Sequence, residues 1–105
     1  TEMDKRLQRI DPGGKSVNVA HLGDGNIHYT VWPASEDIAV NSNIVEEVEK
    51  LVLFLGGSFS AEHGIGLSKL PSMKRRKNQV AVQVMRQIKA AIDPNNILNA
   101  GKVVP

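Results

Sequence analysis

Two short runs of alternating residues meet at Asp24-Gly25, and that junction constrains the chain more than any other feature. From Ser16 to Leu22, Val17, Val19 and His21 share one face; from Asn26 to Trp32, the faces are Ile27/Tyr29/Val31 and His28/Thr30/Trp32. Period-two alternation between turn residues reads as strand, strand. Asp-Gly between them is a strong hairpin signal, because a type I′ turn needs positive φ at both central positions. With Asp24-Gly25 as the turn, Leu22 faces Ile27 and His21 faces His28. Directly opposed residues have Cβ atoms roughly 4.5–5.5 Å apart on one face, so the two imidazoles converge.

The rest of the chain reads around this hairpin. Asp11-Pro12-Gly13-Gly14 is turn chemistry that sets off a charged segment, residues 1–14, from a domain expected over 15–105. Ile44, Val48, Leu51, Val52 and Leu55 recur at helical spacing before Gly56-Gly57, which predicts an amphipathic helix over 37–55. Residues 58–61 read as a short strand leading into the glycine-bounded turn Glu62-His63-Gly64-Ile65-Gly66. A second helix is expected over 73–92, with Ala81, Met85, Ile88 and Ile92 along its inner stripe and Asp93-Pro94 stopping it. The tail from Asn95 reads as irregular. This order, β-β-α-β-α, predicts an α+β fold, an antiparallel sheet with helices on one face.

Composition excludes several classes. At 105 residues the chain suits one modest domain, and 41% apolar with 23% charged residues is globular. No apolar run approaches the roughly 20 residues of a membrane span, and no signal peptide is visible, so the cytoplasm is the expected compartment. The chain opens on Thr1 rather than methionine, which suggests a piece of a longer protein. Without cysteine there is no disulfide or thiolate chemistry, and any metal must use His, Asp or Glu. The basic cluster Lys74-Arg75-Arg76-Lys77 has no aromatic residues interleaved, so a solvated helix start is favoured over nucleic-acid binding. There is no GxGxxG, P-loop or GxSxG motif.

All three histidines lie in two glycine-rich segments, HLGDGNIH at 21–28 and EHGIG at 62–66. Imidazole and carboxylate together suit zinc, manganese or iron, and the hairpin gives His21 and His28 a physical reason to share one ion, with Glu62 available to complete the set. A cross-strand polar pair without metal is the competing reading of the same spacing. His63 adjoins Glu62, and neighbours in an extended segment point to opposite faces. A histidine near its ordinary pKa can take an alcohol proton. It can also be structural.

HLGDGNIH, then GGSFSAEHGIG at 56–66, then IKAAIDPNNILNAGKVVP at 88–105, together resemble the C-terminal part of the FAD-linked oxidase family, which includes D-lactate dehydrogenases, the glycolate oxidase flavoprotein subunit and D-2-hydroxyglutarate dehydrogenase. The likeness runs over residues 15–105. It implies half of a ferredoxin-like cap domain that covers a flavin, with the FAD-binding domain lying outside this chain. It further implies His21, His28 and Glu62 as ligands of a divalent metal, zinc or manganese, and His63 as the base that takes the hydroxyl proton of a D-2-hydroxyacid while hydride passes to FAD. Asn99, in the tail, would approach the flavin ring. Two positions depart from the family pattern: Thr30 where metal-binding members often have asparagine, and Ala100 in place of a tail proline.

The expectation is therefore a segment of a flavin-dependent D-2-hydroxyacid dehydrogenase, inactive alone and prone to form a homo-oligomer through surface the missing parts would cover. A non-catalytic metal-binding or subunit-interaction module is the alternative. A flavin-free metal-dependent hydrolase is a third.

Overall fold

The computed structural model describes residues 1–105 as two compact units, 1–61 and 62–105. Two antiparallel strands and four helices make an α+β fold.

The first unit begins with a helix, where the sequence predicts only a charged segment. Helix α1 (Glu2–Ile10) is capped reciprocally by Thr1 and Asp4, and it buries Met3 and Leu7, one turn apart. Helix α2 (Ile38–Phe54) starts at Asp37, whose side chain accepts from the Ala39 N–H at 2.8 Å. It ends in a Schellman motif: the Gly57 N–H donates to the Val52 carbonyl and the Gly56 N–H to that of Leu53. The two helices pack together, with Ile44 of α2 buried and Arg6 donating to Glu47 at 3.1 Å.

Strands β1 (Lys15–His21) and β2 (Asn26–Trp32) form the expected hairpin, with one difference that matters. The ladder pairs Val19 with His28, Ala20 with Ile27 and His21 with Asn26, two residues away from the expected register. The connection is the four residues Leu22–Gly25, closed by the Gly25 N–H donating to the His21 carbonyl at 3.0 Å. A type I′ turn would have put both Asp24 and Gly25 at positive φ; here only Gly25, at φ +70°, takes that conformation. Slipping by two rather than one keeps every side chain on its face.

Asp4 of α1 accepts from the hydroxyls of Ser16 (2.7 Å) and Tyr29 (2.9 Å), so the helix lies against the hairpin face that carries these two residues. At the base of the hairpin, buried Asp11 accepts from the Ala34 N–H at 2.7 Å, joining the turn before β1 to the chain after β2. The opposite face carries Val17, Val19, His21, His28, Thr30 and Trp32. Val17, Val19 and Trp32 remain half exposed or more.

Residues 58–61 do not form the expected strand. The Ser58 hydroxyl donates to the Ser60 carbonyl and accepts from the Ser60 N–H, a local pairing that competes with a sheet ladder.

In the second unit the single helix expected over 73–92 is two helices, α3 (Gly66–Arg76) and α4 (Gln79–Ile92). Pro71 lies inside α3. The break falls at Lys77-Asn78, where the Asn78 side chain accepts from the N–H groups of Val80 and Ala81. The basic cluster therefore sits at a helix end, complementing the negative pole of the α3 dipole, and not at a helix start. In α4 the inner stripe is also rotated. Val82 is buried with Ala81 and Met85 half-buried, while Ile88 and Ile92 are exposed. Because α4 is apolar on more than one side, periodicity alone did not choose the stripe.

The tail after α4 is irregular, as expected, but it is not loose. Asp93 accepts from the Ile97 and Leu98 N–H groups, both at 2.9 Å, and from Lys89. Lys89 also donates to the Leu98 carbonyl at 2.8 Å.

Candidate active site

The hairpin places His21 and His28 diagonally on one face. Their ring centroids are 5.1 Å apart, with the planes inclined by 52°. Neighbours offset by two residues lie farther apart at Cβ than directly opposed ones, yet long side chains still meet across the diagonal. The convergence predicted from the sequence is therefore present, through a different pairing.

His21 is exposed and His28 half-buried. Asp24, in the loop, brings a carboxylate oxygen to 4.0 Å from His21 Nδ1. Ring nitrogens project beyond their centroids, so these two imidazoles can each reach one ion at the ~2.0–2.1 Å typical of zinc. The donor set fits a divalent metal.

Glu62 is the first residue of the second unit, and its carboxylate is a donor of the kind such an ion takes. Glu62 is half-buried and His63 strongly exposed. The expectation that they point to opposite faces fails, because the segment is not extended. His63 adopts φ +64°, followed by Gly64 at +66° and Gly66 at +56°, and its Nε2 comes to 3.7 Å from a Glu62 carboxylate oxygen.

A non-glycine residue in that region is uncommon, and holding it there costs on the order of 1 kcal/mol. Surrounding structure must supply the restraint. Part of it is Lys69, which the sequence reading did not single out: its ammonium donates to the carbonyls of Glu62 and Gly64, both at 3.3 Å. Helical side chains lean toward the N-terminus, so a lysine in the first turn of α3 reaches back over the turn that precedes it. The visible signal was a lysine three residues beyond Gly66.

Asn99 lies in the exposed tail at φ +48° and begins a turn closed by the Lys102 N–H donating to its carbonyl at 3.0 Å. Ala100, where the family pattern has proline, does not prevent this turn. Thr30 shares the hairpin face with His28, two residues along β2.

Comparison with known proteins gives consistent matches. The family model for FAD linked oxidases, C-terminal domain, matches residues 2–103, starting in α1 rather than at β1. Bovine mitochondrial D-2-hydroxyglutarate dehydrogenase is 38% identical over 98 residues, which cover 92% of this chain and 18% of that protein. D-2-hydroxyglutarate dehydrogenase of Stutzerimonas stutzeri is 32% identical over 97% of this chain and 23% of its own. Glycolate oxidase subunit GlcD of Escherichia coli is 37% identical over 85% and 18%. The chain thus spans about a fifth of the curated relatives it matches. No solved structure matches it. No helix is long and apolar enough to cross a membrane.

Proposed function

Because the chain belongs to the family of FAD-linked oxidase C-terminal domains, we propose that it supplies the substrate-side groups of a flavoenzyme that oxidises a D-2-hydroxyacid to the 2-oxoacid. The observation that carries the reading is the match to relatives named D-2-hydroxyglutarate dehydrogenase over nearly the whole chain.

In this reading His21, His28 and Glu62 hold a divalent metal, zinc or manganese. When bound, such an ion supplies Lewis acidity toward the carboxylate and hydroxyl oxygens of the substrate. His63 takes the hydroxyl proton as the Cα–H electron pair leaves as hydride, so the alcohol loses two electrons and two hydrogens overall. FAD, held mainly by polypeptide outside this chain, is the hydride acceptor. Asn99, exposed at the head of its turn, is the residue of this chain assigned to the flavin ring. Gly64 and Gly66 leave open space beside His63, since a Cβ at either would meet nothing within 4 Å. Substrate can approach the imidazole from that side.

It follows that the 105-residue polypeptide alone does not turn over substrate. It should instead self-associate, because Val80, Val84, Ile88 and Ile92 form an exposed apolar row along α4. A monomeric mass by light scattering at high concentration would argue against that. The decisive experiment uses the full-length flavoprotein: metal analysis of wild type and His21→Ala, with flavin reduction by a panel of D-2-hydroxyacids. Metal-dependent reduction in the wild type, lost with the metal in the variant, is expected. Full activity without bound metal would refute the assigned roles.

A further inference from the structure

The 62–66 turn holds His63 in a left-handed conformation without strand pairing, and Lys69 of the same unit donates to its backbone. We infer that Lys69 is a positioning residue for the proton-accepting imidazole, clamping the backbone on both sides of His63; this rests on the proposed role of His63.

The carbonyls of Glu62 and Gly64 flank the His63 residue, and the Lys69 ammonium donates to both, each at 3.3 Å. An ammonium has three donors and no acceptor, so it can bridge two carbonyl oxygens. Bridging these two restricts the φ and ψ of His63 and of Gly64, and with them the direction in which the His63 Cα–Cβ bond leaves the backbone. His63 itself is strongly exposed, so packing cannot hold it. Gly64 and Gly66 have no steric preference for the positive φ they adopt over other conformations. Without the clamp the turn would sample other states, and the imidazole would leave the position from which it reaches a hydroxyl.

Lys69 is suited to this for a reason of place. It stands in the first turn of α3, a rigid element that begins at Gly66, and it is half-buried. The charge is thus anchored on a helix and spent on a loop. A misplacement of about 1 Å in a reacting group can cost about 100-fold in rate, so a clamp of this kind acts on turnover at saturation more than on substrate affinity.

The test compares Lys69→Met, which keeps the aliphatic stem and removes the donors, with Lys69→Arg, which keeps charge and donors, in the full-length flavoprotein. For Lys69→Met the saturating rate of flavin reduction by a D-2-hydroxyacid should fall about 10- to 100-fold with KM nearly unchanged. Amide hydrogen exchange at residues 63–66 should rise while that of α4 stays the same. Lys69→Arg should restore most of both. If Lys69→Met does not fold, Lys69→Gln, which keeps a neutral donor, takes its place in the comparison. Unchanged exchange at 63–66, or a loss equally deep in Lys69→Arg, would overturn the clamp. The exchange measurement needs no substrate, so it judges the clamp even if the wild type reduces its flavin with no D-2-hydroxyacid, the outcome that would sink the functional reading.

Discussion

The hairpin and the 62–66 turn each present chemistry-bearing side chains, but by opposite means. In the hairpin, His21 and His28 are placed by strand periodicity, which is tolerant: a register two residues from expectation left both rings on one face at 5.1 Å. In the turn, Glu62 and His63 are placed by individual torsions, including a histidine at φ +64°, and tolerance is lost. A repeating element fixes direction by parity. An irregular one must be held contact by contact, which is the part Lys69 plays.

The contrast is sharpest at the base. Replacing His63 by asparagine, which also tolerates the left-handed region, should leave the turn in place but slow flavin reduction by about 10²–10⁴-fold, the usual share of a general base. Retained rate would show that the turn is structural only. On the hairpin side, His28→Ala should weaken metal retention by more than about 100-fold in equilibrium dialysis, since even partners behind a ligand are worth about 10–100-fold. Equal metal content in wild type and variant would reduce the pair to a polar contact between strands.

Smaller effects address the frame. Asn78→Ala removes the side-chain acceptor that starts α4 and should cost about 1 kcal/mol in denaturant unfolding, whereas no loss would mean that the α3/α4 break needs no cap. Gly25→Ala has open space for its methyl but must adopt φ +70°, so it should cost about 1 kcal/mol from conformation alone. A much larger cost would show that the hairpin loop is as exacting as the 62–66 turn, and would erase the contrast.

The smallest effect is one of pH. The hydrogen bond from Lys89, followed by that from the Ile97 N–H, holds the Asp93 carboxyl below its ordinary value of 3.8. A lowered pKa in the folded state adds stability above the unfolded value, and that stability is lost as pH falls through the folded one. Asp93→Asn should therefore flatten the acid limb of the stability profile below about pH 4 while changing its slope near neutrality little. An unaltered acid limb would mean that the tail is not anchored there.

Much of this was legible in the residues themselves. Alternation gave both strands to within one residue of their ends, and heptad-like spacing with a double glycine gave α2. The clustering of histidines in two glycine-rich segments gave the candidate site, and the ordered motifs gave the family. What could not be read depended on competition among local options. In the hairpin loop Gly25 alone takes positive φ, the expected strand gives way to Ser58 and Ser60 bonding to each other, and the helix break falls where Asn78 caps a new start. Helix α1 escaped notice because its two buried residues, Met3 and Leu7, are too few to stand out as a periodic stripe.

Sequence by itself determined which faces the side chains occupy in the regular elements, because parity and helical period are covalent consequences of the chain. Tertiary structure alone decided which of the apolar sides of α4 is buried, where the diagonal pairing puts the two imidazoles, and which lysine holds His63. Those outcomes turn on distances between side chains and backbone groups in the folded chain, and a pattern of residue types carries no distances.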